Sequence, residues 1–117
     1  MQSLKLPYRV VHIVTGDMGF SASNQFDVET WMTSENKYRE THSCSNTTDF
    51  QSRGLGIKYK NGKDGGYVHT LNATGVAIGR MLIAILDNNQ NRKGKVAIPN
   101  VLQKYVGKKE IENPQLP

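Results

Sequence analysis

Cysteine and long apolar runs are both scarce in this sequence, and each absence excludes a class of protein. Cys44 is the only cysteine, which excludes an internal disulfide and a metal cage built from several thiolates. No apolar run reaches the roughly 18 to 20 residues that a membrane-spanning helix needs. The opening MQSLKLPYRVV lacks the apolar core of a secretory signal, so we expect no leader. Together these features favour a reducing compartment and no membrane partner.

The remaining composition is that of one small globular domain. Of the 117 residues, 37% are hydrophobic and 21% are charged, which allows a modest core. The formal net charge of +5 permits a phosphate-bearing partner without requiring one. The densest basic cluster along the sequence is interpreted as a solvated surface and consists of Lys104, Lys108 and Lys109.

Strand and turn signals alternate along the first part of the chain, and one long apolar helix follows them. This order predicts an α+β fold in which helices flank an antiparallel sheet. Strands are predicted over 8–15 (a buried strand), 26–32, 38–45, 57–60 and 67–71. Turns are predicted near 34–36 and as a hairpin loop, NGKDGG, over 61–66. One short helical segment is predicted to begin after a cap at Thr47, Thr48 or Asp49 and to run through Arg53. Another is predicted over 101–105, between Pro99 and Gly107. The tail 113–117 is predicted to be disordered.

An arginine interrupts the apolar run GVAIGRMLIAIL, residues 75–86. The run predicts a helix that is apolar on all sides, and therefore buried, and that ends at the following Asp-Asn-Asn. Gly75 and Gly79 are predicted to form a bare groove that lets this helix lie close on the sheet. Because burying an unpaired guanidinium costs several kcal/mol, Arg80 must meet a carboxylate or face a bound anion. A structural salt bridge, an arginine that extends along the helix to place its charge in water, and an anion site all stay open at this point.

The third predicted strand is unusually polar for a strand beside an apolar helix. Its sequence, YRETHSCSN over residues 38–46, indicates either an edge strand in water or the wall of a polar pocket. Glu40 could bind a hard cation such as magnesium through oxygen, with help from Ser43. Strict alternation places these two residues on opposite faces, so a shared metal would require the strand to bulge or end between them.

Other candidate residues carry weaker signals. The three histidines, His12, His42 and His69, have no metal-binding spacing among them. Cys44 is interpreted as a small buried hydrophobic side chain, and Asp17 as a turn former between glycines. No phosphate-binding glycine loop, serine–histidine–aspartate array or zinc pattern occurs in the sequence.

Several segments resemble, in order, the C-terminal part of bacterial-type seryl-tRNA synthetases, which are class II aminoacyl-tRNA synthetases. The segments span about Leu6 to Ile111 and read LPYRVVHIVTGDMGFSAS, FDVETW, YRETHSCSNTTDFQSR, VHTLNATGVAIGRMLIAILDNNQ and VAIPNVLQKYVG. The most specific parts are SCSN followed by DFQ-R, and HTLN followed by G---GR. The resemblance implies that residues 1–117 are a C-terminal portion of a class II catalytic domain, with motif 3 at about 70–90.

The resemblance implies a role for each of several residues. Arg80, as the motif 3 arginine, is implied to be catalytic by gripping the γ-phosphate of ATP, which suits a planar guanidinium. Glu40 and Ser43 are implied to hold magnesium on the ATP phosphates. His42 departs from the family, which usually has serine there. The full implied set is Glu40, Thr41, His42, Ser43 and Arg80 for ATP, and Asn72 and Thr74 for serine.

The implied function is the activation of L-serine by ATP to seryl-adenylate and transfer of the seryl group to tRNA-Ser. The complete enzyme is expected to be a cytoplasmic homodimer, or to lie in an organelle matrix if the source is eukaryotic. The family's N-terminal arm, motif 1 and motif 2 do not occur in this chain, so we expect a fragment that is inactive alone. Two alternatives stay open: a stand-alone, non-catalytic interaction or RNA-binding protein, and a class II relative that charges a carrier protein.

Overall fold

The structure is a computed structural model and describes residues 1–112, so the tail predicted to be disordered lies outside the described residues. The helical elements are a short 3-10 helix (Gln2–Leu4), α1 (Phe50–Leu55), α2 (Ile78–Asn89) and α3 (Asn100–Val106). The strands are β1 (Tyr8–His12), β2 (Asn24–Met32), β3 (Lys37–Asn46), β4 (Lys58–Asn61), β5 (Asp64–Tyr67), β6 (Leu71–Ala73), β7 (Val96–Ala97) and β8 (Glu110–Ile111). The main sheet has the order β1-β2-β3-β6, and β4-β5 and β7-β8 form two separate ribbons. The predicted α+β class is confirmed.

The chain divides into two compact units that are interleaved in sequence. The first unit comprises Met1–Arg9, Glu29–Thr41 and the described residues from Val76 onward. The second unit comprises Val10–Val28 and His42–Gly75.

The first unit has a small apolar core beneath α2. Leu6, Met32, Met81 and Ala84 are buried together, and Met1, Leu4 and Ile85 pack against them. Burial of each of the larger side chains, Leu6, Met32 and Met81, stabilises the fold by roughly 1.5–3 kcal/mol. Met81 and Ala84 lie three residues apart on α2, so one narrow stripe of the helix faces the core.

The prediction that α2 is buried on all sides is wrong for the described chain. Ile78, Leu82 and Ile83 are 72%, 55% and 57% exposed, because only one side of the helix meets the first unit's core. Gly75 precedes the helix, and a Cβ added at Gly75 or Gly79 would meet nothing within 4 Å, so the predicted glycine groove is also wrong. The helix continues through the Asp-Asn-Asn sequence that was predicted to end it.

The second unit contains a different kind of interior. Among its described residues, every buried side chain is polar, namely Asp27, Thr47 and Ser52. The Ser52 hydroxyl donates to the main-chain oxygen of Asp49 or Val68, and the Thr47 hydroxyl donates to the main-chain oxygen of Thr70 at 2.9 Å. This unit is therefore tied together by hydroxyl groups that satisfy loop carbonyls.

Several local predictions are confirmed, and others shift by a few residues. The turn between β2 and β3 contains Asn36 in the left-handed region, and α3 follows Pro99 and ends at Gly107 with φ 72°. The predicted loop NGKDGG is mostly strand, because Asn61 pairs with Asp64 and leaves a two-residue turn at Gly62 and Lys63. The first strand is shorter than predicted and not buried, with Val10 59% exposed.

Candidate active site

Helix α2 presents Arg80 from its first turn to strand β3. The Nη1 atom of Arg80 donates to the main-chain oxygen of Glu40 at 3.2 Å and lies 3.4 Å from Glu40 Oε1. Of the two partners that the sequence left open for Arg80, a carboxylate and a bound anion, the structure shows a carboxylate, and the premise that the guanidinium is buried is wrong. The two side chains are 58% and 48% exposed, and an exposed pair of this kind stabilises a fold by only about 0–1 kcal/mol. An anion could therefore replace this carboxylate at little energetic cost.

A cleft of about 360 Å³ lies beside this pair in the first unit. Its walls are formed by Met32, Glu35, Arg39, Glu40, Arg80 and Ile83. The volume is near the lower end of the ~300–1,000 Å³ typical of small-molecule sites. The cleft thus combines two cations and two carboxylates with an apolar floor.

The two arginines of the cleft differ in how firmly they are held. Arg39 binds the Glu35 carboxylate through Nε at 2.8 Å and Nη2 at 2.5 Å. Arg39 and then Lys37 lower the pKa of Glu35 by hydrogen bonding to its carboxylate. Arg80, held at 3.4 Å by one nitrogen, is the cation of this cleft that is available to an anionic ligand.

The far end of α2 is tethered to the turn that leads into β3. The carboxylate oxygens of Asp87 accept the Ser34 N–H at 3.0 and 3.2 Å. Asn88 Nδ2 donates to the main-chain oxygen of Trp31 at 2.8 Å. These contacts hold the C-terminal end of α2 against the turn that leads into β3, the strand that carries Glu40. Sequence reasoning missed them, because polar residues after an apolar run also indicate a helix end.

Thr41 follows Glu40 on β3 but faces the interior. It is 1% exposed, and its hydroxyl lies 2.9 Å from the hydroxyl of the equally buried Thr30 on β2. This alternation leaves Glu40 half-exposed beside the cleft. Any contact of Thr41 with a ligand would therefore be made by its main chain.

The second unit holds the other residues of the predicted site. Ser43 accepts a hydrogen bond at its main-chain oxygen from the Thr74 N–H at 2.9 Å, and Ser45 pairs with Asn72 in the β3–β6 register. Asn72 and Thr74 are exposed, whereas His42 and Ser43 are half-buried. Strand β3 does not end between residues 40 and 43.

None of the weaker candidate residues belongs to a group of metal-binding side chains in the described part of the chain. Within residues 1–112, no three side chains of histidine, cysteine, aspartate or glutamate converge as a metal site. The His12 ring stacks on Phe26 and lies 2.7 Å from Asn24 Oδ1. Cys44 is exposed, so its interpretation as a buried hydrophobic residue is wrong. No helix in the described part of the chain is long and apolar enough to cross a membrane.

Comparisons with known proteins agree on one family. The family described as tRNA synthetase class II core domain (G, H, P, S and T) matches residues 1–89. A serine–tRNA ligase from Psychrobacter sp. (strain PRwf-1) is 53% identical over 111 residues, which is 95% of this chain and 26% of that protein. The chain therefore spans about a quarter of this relative's length.

Two solved structures are similar to the chain along almost its entire length. Seryl-tRNA synthetase from Pyrococcus horikoshii, complexed with ATP, has a TM-score of 0.94 and 47% identity over 97% of this chain and 26% of its own. Cytoplasmic serine–tRNA ligase from Naegleria fowleri, in complex with AMP, has a TM-score of 0.85 and 45% identity over 95% of this chain and 26% of its own.

Proposed function

The chain belongs to the tRNA synthetase class II core domain family, and from this premise we propose that it is the C-terminal part of a serine–tRNA ligase. The complete enzyme would activate L-serine with ATP and charge tRNA-Ser, as a cytoplasmic homodimer. The chain alone would be inactive, since it spans 26% of the length of its relative. The observation that carries the proposal is the exposed, loosely paired Arg80 beside the cleft, in a chain similar to a synthetase solved with ATP.

The proposed chemistry has two steps. A serine carboxylate oxygen attacks the α-phosphorus of ATP, the bond to the β-phosphate oxygen breaks, and pyrophosphate leaves. A hydroxyl at the 3′ end of tRNA-Ser then attacks the seryl carbonyl carbon, and AMP leaves with the bonding electrons. No side chain forms a covalent bond to substrate in either step, so the protein contributes position and charge stabilisation.

Arg80 is the residue proposed to act on the leaving group. When ATP binds, the guanidinium exchanges the weak contact with the Glu40 carboxylate for the γ-phosphate, to which it donates two hydrogen bonds. It then stabilises the negative charge on pyrophosphate as the bond breaks. The same exchange releases the Glu40 carboxylate.

Glu40 and Ser43 are the residues proposed to hold magnesium. A half-exposed carboxylate fits this role, because magnesium typically binds one or two carboxylates together with substrate phosphates. The ion would neutralise phosphate charge when bound. Thr41 and His42 are proposed to contact the nucleotide, and Asn72 and Thr74 the serine substrate.

Serine-dependent exchange of pyrophosphate into ATP tests the proposed function in the complete enzyme. Serine should stimulate the exchange, and threonine and alanine should not, because the proposed pocket accepts a hydroxymethyl side chain. Adding tRNA-Ser should then yield seryl-tRNA and AMP. An enzyme that exchanges pyrophosphate with another amino acid and not with serine would contradict the proposal.

A further inference from the structure

The second unit exposes a strongly basic hairpin. The segment from Arg53 to Tyr67 contains four cations, Arg53, Lys58, Lys60 and Lys63, and one carboxylate, Asp64. Its formal charge is therefore +3, compared with +5 for the whole chain. The cations look scattered along the sequence, but β4, β5 and the end of α1 bring them together. We call these four residues the basic hairpin.

Strand register places two of the lysines on the same face. Lys58 pairs with Tyr67, and Lys60 pairs with Gly65, so these pairs share one face of the ribbon. Gly65 has no side chain to cover Lys60. Tyr59 lies on the opposite face, where its ring packs against Gly66.

Two cations contact the Tyr67 ring on the face of the ribbon that carries Lys58 and Lys60. The Arg53 guanidinium and the Lys58 ammonium lie 5.0 and 5.1 Å from its centroid. Each such contact is attractive, because the face of the ring carries negative charge density, and it offsets part of the repulsion between the two cations. The tyrosine therefore holds two like charges close together.

Carboxylates do not neutralise the lysines of the basic hairpin. Within residues 1–112, no carboxylate lies in ion-pair distance of Lys58, Lys60 or Lys63, and only Arg53 is paired, with Asp49. Elsewhere the pattern is different, because Lys95 contacts both Glu110 and Glu112. Uncompensated, clustered lysines attract a polyanion, whose bound counterions are released on contact.

We propose that the basic hairpin binds the phosphate backbone of the tRNA substrate, through residues other than those assigned to ATP and serine. The identity of this polyanion rests on the proposed function. Because the Tyr67 ring is already in contact with two cations, the interaction is with phosphates and does not depend on stacked bases. The hairpin thus contributes affinity for tRNA and leaves serine activation unchanged.

A double charge reversal, Lys58→Glu with Lys60→Glu, tests the proposal in the complete enzyme. The KM for tRNA-Ser should rise at least fivefold. The slope of log affinity against log salt concentration should become shallower by about 1 to 2, as expected for two lost phosphate contacts. Serine-dependent pyrophosphate exchange needs no tRNA and should stay within twofold of wild type.

The matched control is Lys108→Glu with Lys109→Glu, which makes the same change in net charge outside the basic hairpin. It should leave both the KM for tRNA and the salt slope near the wild-type values. Equal effects of the two double variants would overturn the proposal, because general charge would then explain the loss. Binding of the wild-type protein to phosphatidylserine vesicles, with no affinity for tRNA, would also overturn it. Absence of serine-dependent exchange in the wild-type enzyme would contradict the proposed function instead, and direct titration with labelled tRNA would still decide the role of the hairpin.

Discussion

Arg80 and Arg39 lie in the same cleft, but their guanidinium groups are held very differently. Arg39 makes two short hydrogen bonds to Glu35, and Arg80 makes one long contact with the Glu40 carboxylate. Similar charge in similar surroundings makes the pair a matched test of which arginine binds phosphate. Only a loosely held guanidinium can change partner without losing a strong interaction.

Arg80→Ala should lower serine-dependent pyrophosphate exchange in the complete enzyme by orders of magnitude, because charge on the leaving pyrophosphate loses its donor. Arg39→Ala removes an equal charge from the same cleft and should change the rate less than fivefold. The steady-state rate of pyrophosphate exchange at saturating serine measures the effect of both substitutions. A loss of less than tenfold for Arg80→Ala, about 1.4 kcal/mol, would rule out the phosphate role.

Glu40→Gln tests the proposed metal ligand while keeping the shape of the side chain. A neutral amide oxygen binds magnesium more weakly than a carboxylate, so the magnesium concentration for half-maximal exchange should rise about tenfold or more. Titration of the exchange rate with magnesium gives this value. Glu35→Gln, in the same cleft, serves as the control and should leave the magnesium dependence unaltered; the same shift in both variants would contradict a specific role for Glu40.

At the scale of elements, the placement of Arg80 depends on the tether at the other end of α2. Asp87→Ala removes the acceptor for the Ser34 N–H and should lower the free energy of unfolding by about 1–2 kcal/mol. Because the helix then shifts against the turn before β3, the KM for ATP should rise more than the KM for serine. Thermal unfolding and exchange kinetics of the complete enzyme measure the two effects.

Asn89→Ala is the matched control for that variant. Among the described residues, Asn89 Nδ2 donates only to the Ile85 carbonyl within the same helix, so its loss does not alter the tether. A purely structural role for Asp87 predicts lower stability with both KM values unchanged. That result would show that the tether does not position Arg80.

The polar interior of the second unit leads to a separate prediction. Ser52→Ala removes the buried hydroxyl that donates to the Val68 carbonyl, whereas the Asp49 carbonyl keeps the Arg53 N–H, and the free energy of unfolding should fall by about 1–3 kcal/mol. Amide hydrogen exchange should accelerate in α1 and around Val68 first. Ser3→Ala, at an exposed position, should change neither quantity. Unchanged protection in Ser52→Ala would mean that apolar contacts, and not hydroxyl groups, hold this unit.

Sequence reasoning predicted the elements whose signals are local. Strands β2 and β3, their turn, and α3 between Pro99 and Gly107 all depend on residues adjacent in the chain. The prediction that α2 is buried was wrong because an apolar helix indicates only which side chains could be buried, and Leu82 and Ile83 are more than half exposed in the described chain. The hairpin loop was wrong because Gly65 and Gly66 suggest a turn, whereas their cross-strand partners place them in β5.

Sequence reasoning predicted some features of the candidate site and missed others. A charged side chain within an apolar run needs a partner of opposite charge, and in the structure Arg80 contacts the Glu40 carboxylate. That this pair serves ATP came from family resemblance and stays a proposal. Asp87 was missed because its partner Ser34 lies far away in sequence. The basic hairpin was missed because only the strand register and the contacts with Tyr67 show that its cations share a face.

For the molecule as a whole, the decisive feature is that the chain matches about a quarter of each relative. Its resemblance to seryl-tRNA synthetases is confirmed by 53% identity over almost the whole chain. Family membership alone would not indicate the amino acid, since the matching family covers several synthetases. The identity with serine–tRNA ligases, and not the fold, therefore favours serine as the substrate.

The proposal that this chain is one part of a longer enzyme predicts the mass of the native protein. A blot of source cells with an antibody against this chain should show a band several times heavier than 13.1 kDa, because a relative is about four times as long. The immunoprecipitated band should catalyse serine-dependent pyrophosphate exchange, and the purified 117-residue chain should not. Cells in which the gene is disrupted provide the control for the antibody. A single band at 13.1 kDa, without exchange activity, would contradict the synthetase proposal and favour a stand-alone protein whose binding surface is the basic hairpin.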